Sequence, residues 1–347
     1  KQKTAYEISL GLVGSEMCIR DRDIGKPFTK YIRRGEVVYV HTGSQIPNGA
    51  DAVVPLEFTD RIGSDLYVYT SVAPGQNISA KGEDIKAGER ILKKGERLTP
   101  FDISAIKALG IKNVRVYRKP RVAVMACGDE LVDSIDDLEP GKILEYSREI
   151  VIGLAMKYGC DVVDLGICPD DMQIIKENIN RATKISDVLI TVGGTSIGKK
   201  DLIPRAIREI GQIIFHGVSI QPGKPICAGK IEDGFIVLGL PGLPVATYIG
   251  GITVMKSLIE HISNMRRPII QPTIRAKLAR KIWSRVGVRT FVRVKITIRD
   301  GEYIAEPIRI SGSGIISSLI KGDGIVIVEE NLEGIDAGEY VDVILIR

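Results

Sequence analysis

The stretch from Asp187 to Asp201 combines residue types that can bind an anionic ligand. It opens with an apolar, β-branched run from Val188 to Val192, which is typical of a strand buried on both faces of a parallel sheet. The loop that follows contains three glycines and two hydroxyl side chains: Gly193, Gly194, Thr195, Ser196 and Gly198. Glycine allows close backbone approach, and exposed N–H groups with hydroxyls suit a phosphate. Asp201 closes the loop with a carboxylate that can bind Mg²⁺ or a polar group.

Two other interpretations of this loop stay open. Gly193 to Lys199 satisfies the G-x-x-x-x-G-K pattern, but a triphosphate P-loop continues with Ser or Thr, and Lys200 stands there. A glycine-rich turn without a ligand has the same composition. If the loop does bind phosphate, Gly194→Val is expected to block binding and leave the fold intact, because a Cβ would stand where the backbone approaches the ligand.

Loops after neighbouring strands bring further polar groups to the same region. Strands and helices alternate along residues 119–264, which predicts a doubly wound, mostly parallel sheet. Ligands of such sheets lie beyond the carboxyl ends of the strands. We therefore expect four loops to gather at one edge, and these loops are residues 127–131, 169–171, 193–201 and 241–244.

Composition excludes several classes of function. The chain has 347 residues, and its 48 basic residues are interleaved with 43 acidic ones, so a net charge of +5 is too small to indicate nucleic-acid binding. No apolar run approaches the roughly 18 residues of a membrane span. The cysteines form no C-x-x-C pair and no metal-like spacing with the histidines. Cys127, Cys160, Cys168 and Cys227 are expected to be reduced core residues, which favours a cytoplasmic protein.

The predicted elements divide the chain into a multidomain α/β protein. Its central doubly wound, mostly parallel sheet domain is flanked by small β-barrel-like domains. The predicted segments are a small β domain at 23–75, a connecting α+β segment at 76–118, the α/β domain at 119–264 and a C-terminal β-barrel domain at 265–347. Thr99 and Pro100 mark a helix start in the connecting segment.

The first 22 residues fit none of these patterns. Residues 6–22 resemble the translated read-through of a sequencing adapter, and the segment lacks the features of a signal peptide. We predict that residues 1–22 are not native, form no part of the core, and stand in place of a genuine N-terminus.

Eight motifs, taken together and in order, resemble one family. They are Thr42–Val54, Gly82–Ile85, Gly128–Leu131, Asp170–Asp171, Gly193–Asp201, Pro222–Pro225, Gly239–Pro244 and Gly312–Leu319. The family is that of the molybdopterin molybdenumtransferases of molybdenum cofactor biosynthesis, to which half of gephyrin is related. The resemblance implies an elongated four-domain homodimer. Its active cleft would lie between the sheet domain of one subunit and the barrel region of the other.

The resemblance also implies a reaction and residue roles. The family inserts molybdate into adenylylated molybdopterin and releases AMP, with Mg²⁺. The implied catalytic carboxylates are Asp201, Glu130 and Asp170, with Asp84 reaching in from the partner subunit, and Asp201 and Glu130 would hold the metal. The implied substrate-binding residues are Gly193, Gly194, Thr195, Ser196, Gly198, Lys224 and Thr42, with Pro241 and Pro244 shaping the rim that receives molybdate. Taken singly, each carboxylate has a plainer interpretation as a helix cap or a solvated loop residue.

Several positions depart from the family pattern. Gly217 and Gln221 stand where members commonly carry basic residues, Cys127 replaces the usual Thr, and Glu145-Tyr146-Ser147 replaces Asp-(Ser/Thr)-Asn. Three functions therefore stay open. The chain is a molybdenum or tungsten insertase, or a molybdopterin adenylyltransferase of the sister family, or a non-catalytic paralogue that binds pterin or a partner protein.

Overall fold

The computed structural model describes residues 4–8, 18–20, 30–63, 65–195, 202–309 and 312–346. For residues 4–8, 18–20 and 309 it describes the backbone alone. The chain forms two compact units, Lys1–Ile91 and Leu92–Arg347. The finer division into segments stays a prediction.

The first unit is a small β module, as its strand pattern predicts. Its strands are β1 (Thr4–Ile8), β2 (Cys18–Arg20), β3 (Glu36–His41), β4 (Val53–Pro55), β5 (Thr59–Ile62) and β6 (Asp65–Val68). Four of them form a sheet in the order β2-β3-β1-β4, and β5 pairs with β6 as a hairpin. Val37, Val54, Leu66 and Val68 form a small buried cluster, because every second residue of a half-buried strand faces the core.

Two of these strands belong to residues 1–22. β1 lies between β3 and β4 and pairs antiparallel with both, so that Tyr6 is opposite Tyr39 on one side and Val54 on the other. β2 pairs parallel with β3. The described strands of the segment therefore pair within the sheet, whereas its absence from the core stays a prediction. Its origin stays a prediction, because pairing carries no information about provenance.

Deleting residues 1–22 is expected to lower the melting temperature of the first unit by more than about 4 °C. Without β1, both β3 and β4 lose their backbone partner, and buried side chains such as Val38 and Val53 become exposed. A thermal melt of the deleted chain checks this. A variant that carries a Gly/Ser segment of equal length controls for chain length. An unchanged melting temperature would show that the segment is not structural, as its resemblance to an adapter implies.

The second unit contains the predicted α/β sheet. In chain order its elements up to residue 262 are α1 (Pro100–Ala108), β7 (Arg121–Cys127), β8 (Leu131–Val132), β9 (Ile143–Leu144), α2 (Ser147–Lys157), β10 (Asp161–Cys168), α3 (Met172–Ile185), β11 (Val188–Val192), α4 (Leu202–Ile210), β12 (Gly211–His216), β13 (Ile220–Gln221), β14 (Cys227–Ile231), β15 (Ile236–Leu240), α5 (Pro244–Gly250) and α6 (Lys256–Ile262). A π-helical segment, Gly251–Met255, joins α5 to α6. The sheet order is β10-β7-β11-β15-β14-β12, and its first four strands are parallel.

Helices cover both faces of this sheet. On one face α2, α5 and α6 pack on alternate strand residues such as Val122 and Ile190. On the other face α3 and α4 pack on Met125 and Leu189. All five residues of β11 are buried, which confirms the prediction from its unbroken apolar run. The carboxyl ends of the four parallel strands therefore share one edge, which we call the carboxyl edge.

The chain ends in a closed barrel. Its elements are β16 (Thr273–Leu278), β17 (Ile282–Trp283), β18 (Arg289–Arg299), β19 (Glu302–Arg309), α7 (Ser317–Ile320), β20 (Gly324–Val328), β21 (Gly334–Ile335) and β22 (Tyr340–Leu345). Five of them close a ring in the order β18-β19-β16-β22-β20, because β20 also pairs with β18. This confirms the predicted C-terminal barrel. A closed sheet leaves no edge strand to be covered.

The helix start at Thr99 is also confirmed. The Thr99 side chain accepts the N–H of Asp102, and the Asp102 carboxylate accepts the N–H of Thr99 at 2.7 Å, so the two residues form a reciprocal cap. No helix in the described part of the chain is long and apolar enough to cross a membrane.

Candidate functional site

Two loops of the carboxyl edge are tied together at the ends of β7 and β10. The Gly128 N–H donates to the carbonyl oxygen of Cys168 at 3.2 Å. The Asp129 carboxylate accepts the N–H of Asp170 at 2.9 Å. The loop that carries Glu130 and the loop that carries Asp170 therefore lie side by side, as the strand order predicts. Asp129 was not singled out from the sequence, although its place beside Glu130 in a loop after a strand was a usable signal.

Glu130 is exposed at this edge, and its carboxylate folds back over Gly128. A Cβ placed on Gly128 would lie 2.9 Å from the carboxyl atoms of Glu130, and φ at Gly128 is 156°. The glycine therefore leaves room for this position of the Glu130 side chain. An exposed carboxylate beside a backbone turn is suited to bind a cation or a polar substrate group.

The Gly193–Gly194 turn lies next to these loops. Gly193 and Gly194 have φ of 88° and 66°, a conformation that glycine adopts without strain. A Cβ on Gly193 would lie 2.5 Å from the carbonyl oxygen of Cys127. The Gly193 N–H donates to Leu240 at the end of β15. The first residues of the glycine-rich loop thus contact the ends of β7 and β15. For the described part of the loop, this confirms the prediction that these loops lie together at one edge of the sheet.

Gly194→Val is expected to destabilise the α/β domain, contrary to the expectation of an intact fold. A Cβ at Gly194 would lie 3.0 Å from Ile203 of α4, and a β-branched residue at φ 66° is strained by about 1–3 kcal/mol. A thermal melt measures this loss. Gly242→Ala is the matched control, since its new Cβ would meet Gly193 only at an ordinary 3.4 Å. An equal melting temperature for wild type and Gly194→Val would contradict the contact with Ile203.

Thr195 is more enclosed than a ligand-binding hydroxyl needs to be. The residue is only 2% exposed, and its methyl group lies 2.7 Å from where a Cβ would stand on Gly239. The carbonyl oxygen of Thr195 lies 3.3 Å from Nε2 of His216. His216 was not predicted from the sequence, because the histidine ends a strand with no motif around it. Thr195 therefore anchors the turn by packing, and its role in binding stays a prediction.

Pro241 and Pro244 are the buried residues of the loop at 241–244, and they fix its course. Both prolines are buried, and Pro244 occupies the first turn of α5. The carbonyl oxygen of Pro241 accepts the hydroxyl of Thr247 at 2.6 Å. The Val245 N–H donates to Ser313 of the barrel domain at 2.9 Å. The exposed residues of this loop are Gly242 and Leu243, so a ligand at the rim would contact these two residues and the shape that the prolines impose.

Lys224 stands exposed in a turn at the same edge. Cys227 pairs with His216 in β12 and with Gly239 in β15, so the turn that precedes β14 leaves the sheet near the end of β15. The Val218 N–H donates to the carbonyl oxygen of Lys224, which closes the turn.

The backbone explains one departure from the family pattern in this turn. Gly217 has φ 99°, a conformation that a basic side chain would adopt only under strain. Gln221 is exposed and lies on β13. Within the described residues of this turn, Lys224 is therefore the cation that can meet an anionic ligand.

Cys127 and Cys168 lie beneath the site on adjacent strand ends. They are register partners of β7 and β10, and both are buried. A hydrogen bond from the Cys127 thiol to Cys168, together with burial, raises the pKa of Cys127 well above its usual value. The same hydrogen bond lowers the pKa of Cys168. Cys127 is therefore a protonated thiol at neutral pH, and its burial agrees with the predicted place in the core.

Several predicted residues cannot be placed at this edge. Ser196, Gly198 and Asp201 lie outside the described residues. Thr42 and Asp84 are exposed and belong to the first unit. Their roles stay predictions.

Carboxylates are the groups of the carboxyl edge that could hold Mg²⁺. The described residues contain no group of three or more His, Cys, Asp or Glu side chains placed to hold a metal ion. Mg²⁺ is often held by only one or two carboxylates together with substrate phosphates. The exposed Glu130 fits that pattern, and Asp201 would be the second carboxylate.

Comparison with known proteins connects this geometry to a family. The sequence model for the MoeA N-terminal region (domain I and II) matches residues 7–110, that for a probable molybdopterin binding domain matches residues 123–261, and that for the MoeA C-terminal region (domain IV) matches residues 275–346. A putative molybdopterin biosynthesis protein of Methanocaldococcus jannaschii is 37% identical over 91% of this chain and 77% of its own length. A molybdopterin molybdenumtransferase of Haemophilus influenzae is 31% identical over 92% of this chain and 79% of its own length.

Solved structures agree with the sequence matches. The crystal structure of the molybdopterin biosynthesis moeA protein from Pyrococcus horikoshii has a TM-score of 0.80 and 30% identity, and it covers 99% of this chain and 87% of its own. A sheet domain with a glycine-lined edge, followed by a closed barrel, is thus the architecture of a molybdopterin biosynthesis protein. The chain belongs to the molybdopterin molybdenumtransferase family, which confirms the resemblance found in its motifs.

Proposed function

We propose that this chain transfers molybdate to adenylylated molybdopterin and releases AMP, as a step of molybdenum cofactor biosynthesis. The observation that carries the proposal is the meeting of three loops at the carboxyl edge. The Glu130 loop contacts the Asp170 loop on one side and the Gly193–Gly194 turn, through Cys127, on the other. Relatives that are named molybdopterin molybdenumtransferases support the choice of reaction.

The adenylylated pterin would bind through its phosphate groups. The turn at Gly193 and Gly194 supplies backbone close to the strand ends, and Lys224 supplies a positive charge at the same edge. Ser196 and Gly198 would continue the phosphate contacts, and Thr42 remains a proposed substrate-binding residue. Molybdate would enter over the exposed Gly242 and Leu243, at the loop whose course Pro241 and Pro244 fix.

The carboxylates would act on the phosphoanhydride and hold Mg²⁺. When bound, Mg²⁺ would neutralise charge that develops on the phosphate oxygens. Glu130 and Asp201 would hold the metal through oxygen atoms, and Asp170 would orient a polar group of the substrate. The direct bond between Asp129 and the N–H of Asp170 fixes the spacing of the two loops that carry these groups.

We propose further that the enzyme is a homodimer, with Asp84 of each subunit completing the site of the other. Support comes from α1, which buries no residue in its own chain although it carries Phe101 at 84% and Ile103 at 57% exposure. A helix with an uncovered apolar face is typical of a surface that another chain covers.

Phe101→Glu is expected to convert the dimer to a monomer, because the new charge would be buried against the second copy. Light scattering on the purified protein measures the mass. Lys107→Glu changes the charge of an exposed residue of the same helix and serves as the control. A monomeric wild type, or a variant that stays dimeric, would contradict the assignment of this face.

The proposed compartment is the cytoplasm. Cys127, Cys160, Cys168 and Cys227 are all buried, and burial raises the pKa of Cys160 to about 11. Reduced buried thiols are usual in a reducing compartment.

Incubation of the purified protein with adenylylated molybdopterin, molybdate and Mg²⁺ tests the proposed reaction. The expected result is AMP release that requires molybdate. A molybdopterin adenylyltransferase would instead consume ATP without molybdate, and a non-catalytic paralogue would bind the pterin and release nothing. Repeating the assay with tungstate compares the two oxyanions.

A further inference from the structure

Arg148 is a buried cation at the start of α2, and three carboxylates surround it. The residue is 7% exposed. Its Nη2 donates to the Asp133 carboxylate at 2.7 Å, and its Nε lies 3.4 Å from Asp164 and 3.8 Å from Glu145. Asp133 follows β8, Glu145 follows β9 and Asp164 belongs to β10, so one guanidinium contacts the ends of two short strands and the edge of the main sheet.

Glu145 connects this cluster to the start of α2. Its side chain is only 3% exposed. Its Oε1 accepts the N–H groups of Ser147 and Arg148 at 2.8 and 2.9 Å, which satisfies two donors of the first helical turn. Burial raises the pKa of Glu145, while these N–H bonds and the Arg148 charge act in the opposite direction. Removing the guanidinium would leave a buried carboxylate without its cation.

A short hydrogen-bonded path leads from this cluster to Glu130. Residues 128–146 form an excursion, which we call the Glu130 excursion, and β8 and β9 pair parallel within it. The carbonyl oxygen of Glu130 accepts the N–H of Ile143 at 2.7 Å, and that of Val132 accepts the N–H of Glu145 at 2.8 Å. Arg148 therefore contacts the residue that follows each of the two paired strands, and Glu130 lies at their opposite end.

We propose that Arg148 is a positioning residue for Glu130, holding β8 and β9 against β10 so that the carboxylate stands at the carboxyl edge. This inference rests on the catalytic role proposed for Glu130. Arg148 itself contacts Asp133, Asp164 and Glu145 and takes no part in the chemistry. A guanidinium suits this task because its fork of donors can meet carboxylates from separate elements at fixed angles.

The contacts of Arg148 leave part of its capacity for hydrogen bonding unused. Within the described residues, Nε and Nη1 of Arg148 and Oε2 of Glu145 are buried and make no direct hydrogen bond. Nε thus interacts with Asp164 at 3.4 Å and Glu145 at 3.8 Å through charge alone. Nη2 makes a short hydrogen bond to Asp133, which belongs to the Glu130 excursion. Asp133 is therefore the partner whose loss should free the excursion with least disturbance of the core.

The experiment compares Arg148→Gln with Arg118→Gln in the full chain. Arg118 also pairs with a carboxylate of the same domain, Asp187. It precedes β7, however, and so lies at the amino ends of the parallel strands, away from the carboxyl edge. Hydrogen exchange of the amides of Ile143 and Glu145 is expected to accelerate at least tenfold in Arg148→Gln and to stay unchanged in Arg118→Gln. The kcat for AMP release is expected to fall roughly 10- to 100-fold in Arg148→Gln alone, with KM for the pterin unchanged.

A double-mutant cycle then separates positioning from general destabilisation. If Arg148 acts through Glu130, Glu130→Gln combined with Arg148→Gln is no slower than Glu130→Gln alone. Additive losses would overturn the proposal. Unchanged hydrogen exchange in Arg148→Gln would show that Arg148 does not hold β8 and β9 in place, and it would leave the role of Glu130 intact. A fully active Glu130→Gln would overturn the role of Glu130 and, with it, the positioning role of Arg148. If Arg148→Gln does not fold, Asp133→Asn provides the same readouts from the half-exposed side of the pair.

Discussion

Replacing Glu130 with Gln is expected to lower the rate of AMP release by roughly 10²- to 10⁴-fold, with little change in melting temperature. Gln keeps the shape and one carbonyl acceptor but loses the negative charge that binding of a metal ion needs. Glu130 is exposed, so its charge contributes little to the stability of the folded chain. The assay is AMP release in a titration of Mg²⁺, with a thermal melt run beside it.

Glu139→Gln provides the matched control for this substitution. Glu139 is an exposed carboxylate of the same Glu130 excursion, but it lies in the connection between β8 and β9. Its replacement should leave turnover at the wild-type rate. Equal rates for wild type and Glu130→Gln would show that the Glu130 carboxylate takes no part in the reaction. A loss as large in Glu139→Gln would show that the assay reports the state of the loop and not the charge of Glu130.

Asp201→Asn is expected to abolish Mg²⁺-dependent turnover and leave the fold intact. Asp201 directly precedes α4, which begins at Leu202, so its plainer role is that of a helix cap. Asn caps a helix about as well as Asp, so the capping role alone predicts normal AMP release. A metal-binding or electrostatic role requires the carboxylate. AMP release at the wild-type rate across the Mg²⁺ titration would leave Asp201 as a cap only, and a lowered melting temperature would show a structural defect.

The sheet and its site edge were largely predictable from local patterns. The apolar run of β11, the glycines after it and the alternation of strands and helices define a parallel sheet with its loops at one edge. The start of α1 was equally clear, because Thr99, Pro100 and Asp102 carry their capping signal in four consecutive residues. These features depend on short-range chemistry, which a sequence displays directly.

The features that were missed depend on contacts between distant residues. Arg148 meets Asp133 and Asp164 only after β8 and β10 are in place, so no spacing in the sequence marks the cluster. The positive φ of Gly217 belongs to the turn that the carbonyl oxygen of Lys224 closes. In the sequence alone, the same glycine is interpreted as the loss of a basic residue. Burial of Thr195 follows from its packing against Gly239, which lies on another strand. Each is a tertiary constraint that overrides what the residue type indicates.

The central claim is that one site couples cleavage of the adenylyl group to uptake of molybdate. The most direct measurement is the ratio of AMP released to molybdenum bound to the pterin, followed over one turnover with labelled molybdate. One AMP is expected for each molybdenum, with both signals lost together in Glu130→Gln. AMP release without bound molybdenum, or molybdenum uptake that persists in Glu130→Gln, would contradict it.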